Sequence, residues 1–177
     1  MTDHAEPVLH GTKVLLAPVA AGDVERLREL HVTPDVTYWW ATPDPGWPLD
    51  DEPDAIKFTV WLDDAIIGFI QYAEEDSPQY RHAGIDLFLD PAVHGQGLGI
   101  DTVRTLALYL IRDRGHHRLT IDPSASNAAA IRCYTAVGFR PVGVLREYER
   151  VHGTGEWHDG LLMDALAAEV EAAAAPR

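Results

Sequence analysis

Apolar residues recur along this chain with two different periods, and the places where one period gives way to the other divide it into elements. Lys13 to Ala17 is a short apolar run that predicts a strand. Asp23 then stands as an N-cap ahead of Val24, Leu27 and Leu30, which follow at helical spacing. From Thr33 to Pro53 no period is sustained, and Pro34, Pro43, Pro45, Pro48 and Pro53 exclude long regular elements, so a structured loop is expected. Lys57 to Leu62 and Ala65 to Tyr72 are β-rich runs joined by Asp63-Asp64, the pattern of a hairpin. Ala83 to Leu89 is expected to continue that antiparallel sheet.

The second half alternates helix and strand. Val103, Leu106, Ala107, Leu110 and Ile111 form an apolar stripe of helical period that opens just after His94-Gly95-Gln96-Gly97-Leu98-Gly99. Arg118 to Ile121 predicts a short strand, and Asn127 to Val137 a helix closed by Gly138. Two strand-like stretches follow, Arg140 to Val151 and Trp157 to Met163, and from Ala165 an Ala- and Glu-rich terminal helix or tail. There is no internal repeat.

Composition narrows the class. With 177 residues, 46% hydrophobic and 24% charged, the chain is long enough for one domain over 1–177 with a real core. No apolar run approaches the roughly 20 residues that span a bilayer, and the first 30 residues carry acidic and polar groups where a signal peptide is apolar. A cytoplasmic protein is expected. The lone Cys133 forms no internal disulfide, and none of the nine histidines sits in a His-Glu-x-x-His pattern, so no metal is expected.

A formal net charge of −14 repels nucleic acid and anionic membrane and attracts cations. The acidic residues gather in Asp44, Asp50, Asp51, Glu52 and Asp54, then Asp63 and Asp64, then Glu74, Glu75 and Asp76, segments that read as loops. They are a candidate cation-collecting rim beside a merely soluble acidic surface. The sequence leaves the oligomeric state open, a homodimer included.

The glycine turn carries the most specific chemistry. A strand leading into glycines that open a helix holds a phosphate, because the backbone approaches closely and unpaired N–H groups point at the anion. Gln96, Gly97, Leu98, Gly99 and Ile100 are the candidate contacts. Ile100 stands where a dinucleotide fold needs its third glycine, and the Gly-Lys-Ser/Thr ending of a P-loop is absent.

With its preceding strand, His94-Gly95-Gln96-Gly97-Leu98-Gly99 resembles the acyl-CoA motif of the GCN5-related N-acetyltransferase superfamily, Gln/Arg-x-x-Gly-x-Gly/Ala, with His94 at the first position. A second segment, Ile121-Asp122-Pro123-Ser124-Ala125-Ser126-Asn127, continuing to Arg132-Cys133-Tyr134 and Gly138-Phe139, resembles the strand and helix that grip pantetheine in that superfamily. Its Asp-Pro-Ser and Arg-Cys-Tyr variants are most similar to aminoglycoside 6'-N-acetyltransferases, as are Tyr38-Trp39-Trp40, Gly84-Ile85-Asp86 and Asp159-Gly160. The resemblance covers about residues 12 to 164. It implies an α+β fold: a mostly antiparallel mixed sheet, splayed at the Ala83 to Leu89 strand, flanked by helices and taking acetyl-CoA as acyl donor.

The resemblance also implies roles. A main-chain N–H at Phe88 or Leu89 polarises the thioester carbonyl, Asn127 grips the donor, and Tyr134 is the candidate general acid for the departing thiolate. Asp86 faces the acceptor amine as base or as binding group. Asp122 and Asp159 match acceptor-cleft carboxylates or cap turns, and Trp40 is the candidate aromatic wall of the acceptor site. A nucleophilic Cys133 is disfavoured, since direct transfer needs none. The acceptor expected is a small polycationic amine, first the 6'-amino group of an aminoglycoside. A siderophore-precursor, polyamine or peptide amine stays open, as does a non-catalytic acyl-CoA-binding module.

Overall fold

The computed structural model describes residues 6–49, 54–151 and 153–176. Among the described residues eight strands form one sheet: β1 (Leu9–His10), β2 (Leu15–Pro18), β3 (Ala55–Leu62), β4 (Ala65–Glu75), β5 (His82–Leu89), β6 (Arg118–Ile121), β7 (Arg140–Arg150) and β8 (Trp157–Leu166). Their order across the sheet is β1-β2-β3-β4-β5-β6-β8-β7, and every neighbouring pair is antiparallel except β5 with β6. The helices are α1 (Val24–His31), α2 (Pro34–Trp40), α3 (Leu98–Arg112), α4 (Ala128–Val137) and α5 (Ala167–Ala174).

Side chains alternate across the sheet, so β4 and β5 feed two cores. Ile85 and Leu89 of β5 join Tyr72, Leu106, Leu110, Val137 and Met163 in the larger core, which takes in α3, α4 and α5. Phe88 points the other way and meets Phe69, Leu27, Leu30, Val36 and Trp47 under α1 and α2.

The expected splay is present. β5 and β6 pair at only two positions, Ala83 with Leu119 and Gly84 with Thr120, and separate beyond them. Each strand stays with its other neighbour. β5 follows β4 without a register shift to Leu89, where the Asp90 N–H donates to the Ile67 carbonyl at 2.7 Å. β6 follows β8 to Ile121, and the chain beyond keeps to β8: the Leu161 N–H donates to Pro123 O and the Ala125 N–H to Asp159 O, both at 2.8 Å.

The segment expected to be a loop from Thr33 holds a seven-residue helix, α2, so Tyr38, Trp39 and Trp40 lie on a helix. Pro34 occupies its first turn, where a missing N–H costs nothing and the fixed φ favours the helix. Asp23 precedes α1 without capping it. Its carboxylate accepts the Ala20 N–H at 3.1 Å and the Thr59 hydroxyl at 2.7 Å, joining the first helix to β3.

The acidic stretches also differ from expectation. Asp50, Asp51 and Glu52 of the candidate rim lie outside the described residues. Glu74 and Glu75 belong to β4, and Glu74 is engaged rather than collecting cations from solvent. Its oxygens accept from Arg114 Nη2 at 2.7 Å and lie 2.6 Å from His116 Nε2, while Glu6 accepts from the Tyr109 hydroxyl at 2.8 Å beside them. This cluster ties the N-terminal segment and the end of α3 to β4.

Burial of Glu74 favours its neutral form, but the hydrogen bonds from Arg114 and His116 outweigh it and hold the carboxyl below its ordinary range. A depressed folded pKa stabilises the fold above the unfolded value, roughly 4.3 for Glu, and the benefit is lost as pH falls through the folded value. Glu74→Gln is therefore expected to unfold at a lower temperature than the native chain at pH 7, with the gap closing toward pH 3 in thermal melts. A gap independent of pH contradicts this role.

Candidate active site

A cleft of about 1080 Å³ occupies the parting between β5 and β6. On its β5 side are Asp86, Leu87, Phe88 and Leu89. The ladder register decides which backbone groups face it. Because the Asp90 N–H donates to Ile67 O, the alternate residues Phe88 and Asp86 direct their N–H and C=O groups to β4, and Leu87 and Leu89 direct theirs to the gap. Two gap-side carbonyls have side-chain partners: Leu87 O accepts the Trp40 indole N–H at 3.1 Å, and Leu89 O lies 3.2 Å from His94 Nε2. Of the two expected polarising donors, Leu89 thus has its N–H toward the cleft, while Phe88 contributes its ring to the floor.

The start of α3 forms one end of the cleft through Gly95, Gly97, Leu98, Gly99 and Ile100. Gly97 has φ 76° and ψ 7°, a left-handed conformation that a side chain resists. The first helical hydrogen bond runs from Asp101 N to Gly97 O, so the N–H groups of Leu98, Gly99 and Ile100 precede the helical ladder and suit an anion. Gln96 is not among the lining residues; its carbonyl accepts from the Lys13 ammonium at 3.0 Å.

α4 closes the second wall. Asn127 is its N-cap, accepting the Ala130 N–H at 3.1 Å, and Asn127 and Tyr134 both line the cleft. Cys133 of α4 is half-buried against Gly99, and burial pushes its thiol up to about 11, which favours the thiol form. Tyr134 is buried, and its hydroxyl is pushed well above the ordinary tyrosine value, by burial first and then by Cys133, Asp86 and Asp122.

Across from the helix starts the lining turns acidic and aromatic: Asp35, Trp39 and Trp40 from α2, Gln71 and Asp86 from the sheet, Asp122, and Tyr148 and Glu149 from β7. Trp40 packs edge-on against Phe69 and Phe88 with its N–H engaged, which makes it a fixed wall. Trp39 packs beside Tyr38 and His158.

Tyr148, Glu149 and Asp35 were not anticipated from the sequence. A bulge brings the first two in: between Leu145 and Glu149 the β7–β8 register shifts, and Glu147 takes φ 49°. Asp159 holds that bulge, its carboxylate accepting the Glu147 N–H at 2.8 Å, and it does not line the cleft. Gly160 beside it is needed for close approach, since a Cβ there would stand 2.7 Å from the Tyr148 ring. The legible signal was thus Asp159-Gly160 itself, whose part is to shape the strand opposite.

The Tyr148 hydroxyl donates to Asp122 Oδ2, a hydrogen bond that, with burial, pushes the phenol up to about 12. Burial, and then Asp122, pushes the Glu149 carboxyl above its ordinary value. Asp86, Asp122 and Glu149 thus make a cation-seeking end opposite an anion-seeking one.

A sequence profile of the acetyltransferase (GNAT) family matches residues 24–139, well over half of the chain. The chain belongs to the GNAT acetyltransferase family. It is 41% identical over 75 residues to aminoglycoside N(6')-acetyltransferase type 1 of Klebsiella pneumoniae, a match spanning 42% of this chain and 36% of that protein. The same identity over 75 residues relates it to the kanamycin resistance protein of Rhizobium radiobacter, of which 68% is covered. A structure of AAC(6')-Ib in complex with paromomycin and acetyl-CoA superposes with a TM-score of 0.75 at 23% identity, covering 93% of this chain and 99% of that one.

GNAT enzymes use acetyl-CoA, and the residues present fit that donor. The side-chain-free turn at Gly97 with the N–H groups after it would hold the diphosphate. Asn127 and the face of α4 would hold the pantetheine arm, with the Leu89 N–H and Tyr134 near the thioester. The bound donor supplies an activated acetyl group.

Gly97→Asp would force a left-handed side chain and a like charge against the diphosphate. Calorimetry is expected to show acetyl-CoA affinity falling by roughly 10²-fold or more, and an unchanged dissociation constant would falsify this placement. Tyr134→Phe is expected to lower turnover by roughly 10²-fold with donor affinity nearly intact. Equal turnover would reduce Tyr134 to packing.

Proposed function

We propose that this GNAT protein transfers the acetyl group of acetyl-CoA directly to a primary amine of a polycationic small molecule, with the 6'-amino group of an aminoglycoside as its acceptor. One observation carries the reading: a single cleft joins helix starts suited to phosphates with a far side formed by Asp86, Asp122, Glu149, Tyr148 and Trp39. The match to the Klebsiella and Rhizobium proteins supports the choice of amine. Acetylation removes one ammonium charge from such a drug, the chemical basis of resistance by modification.

An ammonium held among carboxylates keeps its proton more readily, so it must lose that proton before attacking. Asp86, exposed on the strand that bears the Leu89 donor, binds the ammonium and accepts the proton directly or through water. The Leu89 N–H stabilises negative charge developing on the thioester oxygen. Tyr134, held protonated, donates to the leaving thiolate.

The same carboxylates suit a linear polyamine, so the acceptor screen needs arms that separate the two. Thiol release from acetyl-CoA and product mass are followed with an aminoglycoside bearing a 6'-amino group, its 6'-hydroxyl counterpart, spermidine, N-hydroxylysine and a peptide amine. The 6'-amino compound is expected to turn over best, by roughly 10²-fold over its hydroxyl counterpart. Its Michaelis constant is expected to rise with salt more than that of a monoamine, since exposed charges are screened over about 8 Å at physiological ionic strength. Asp86→Asn is expected to lower turnover as well as affinity. Efficient acetylation of spermidine or the peptide alone would overturn the aminoglycoside assignment. Donor binding with no thiol release for any amine would make the chain a binding module.

A further inference from the structure

We propose that the turn between β1 and β2 completes the phosphate subsite, with the Lys13 ammonium as the cation that faces the diphosphate of acetyl-CoA. The proposal rests on acetyl-CoA being the donor and adds a contact outside the motif that marks the family. Lys13 lies about 80 residues before the glycine turn, yet its Nζ is 3.0 Å from Gln96 O and 3.8 Å from the point where a Cβ on Gly97 would stand. An ammonium has three donors, and the Gln96 carbonyl takes one, leaving two to turn toward an anion seated on the N–H groups after Gly97.

The turn that carries Lys13 is fixed in place. The buried Asp101, in the first turn of α3, accepts the main-chain N–H groups of Thr12, Lys13 and Val14 at 3.0, 2.6 and 3.0 Å. Two consequences follow from that clamp. It locks the base of the Lys13 side chain to the helix whose start receives the phosphates. It also sets a carboxylate within one helical turn of the anion site, where negative charge opposes an anion and a nearby ammonium offsets the penalty. Lys13 is one of only two lysines, with Lys57, in a chain of net charge −14, and it joins Arg132 of α4, which lines the cleft itself.

The test compares the dissociation constants of acetyl-CoA by calorimetry, with no acceptor present, for the native chain, Lys13→Met, Lys13→Arg and Lys57→Met. Steady-state transfer from S-acetylpantetheine, which carries no diphosphate, is measured alongside. Lys13→Met is expected to weaken acetyl-CoA binding about tenfold, as loss of one charge-assisted hydrogen bond does. Lys13→Arg is expected to stay within about threefold of native, and Lys57→Met, which removes the same charge from β3, within about twofold. None of the three is expected to change kcat/KM for S-acetylpantetheine. Equal acetyl-CoA affinity in Lys13→Met, an equal loss in Lys57→Met, or a parallel loss with S-acetylpantetheine would overturn the proposal while leaving acetyl transfer standing. A native chain that binds no acetyl-CoA would overturn both.

Discussion

Two residue pairs hold β5 to β6, and the structure depends on their being only two. Past Gly84 and Thr120 each strand is retained by its outer neighbour, β5 by β4 and β6 by β8, and the edges between them open. An unpaired backbone N–H in a protein interior costs on the order of 1–3 kcal/mol, so such an opening persists only where water or a ligand meets the exposed groups. The gap-side N–H of Leu89 faces that opening. It lies at a cleft that Leu98 and Tyr134 also line, which is where the proposed transfer needs a donor for charge developing on an acyl oxygen.

Charge is sorted along that gap. At one end are the N–H groups at the start of α3, with the Lys13 ammonium bound to Gln96 O beside them; at the other are Asp86, Asp122 and Glu149. The overall charge of −14 obscures this division, since it describes a field that draws in cations and says nothing of where an anion is tolerated. Both polar ends are braced by residues outside the cleft lining. Asp101 clamps the Lys13 turn, and Asp159 holds the bulge that turns Tyr148 and Glu149 inward.

Local pattern made much of this legible. The helix stripe after Gly99, the short β6, and the Asp122 to Asn127 passage leading into α4 all rest on spacing within a few residues, and all stand near where the sequence puts them. The splay followed from the family resemblance, because nothing in Ala83 to Leu89 itself announces where pairing ends. α2 escaped notice because five prolines outweighed a segment in which Pro34 sits at the one helical position that accepts it. The β7 bulge escaped because period-2 reading assigns Tyr148 and Glu149 to opposite faces, whereas positive φ at Glu147 redirects the strand. Asp23, Asp159 and Lys13 share a further obstacle. The contacts Asp23 with Thr59, Asp159 with Glu147 and Lys13 with Gln96 join positions 36, 12 and 83 residues apart, and no local period marks them.

The central claim is that the donor lies in the opened sheet with its phosphates on α3 and its sulfur between Leu89 and Tyr134. A crystal structure of the chain with coenzyme A measures this directly. The account predicts density for the diphosphate against the N–H groups of Leu98, Gly99 and Ile100, with the thiol in the gap between β5 and α4 and the Asp86 side left open to an amine. Density for coenzyme A elsewhere on the surface, or β5 and β6 paired through Leu89 with no gap between them, would contradict it.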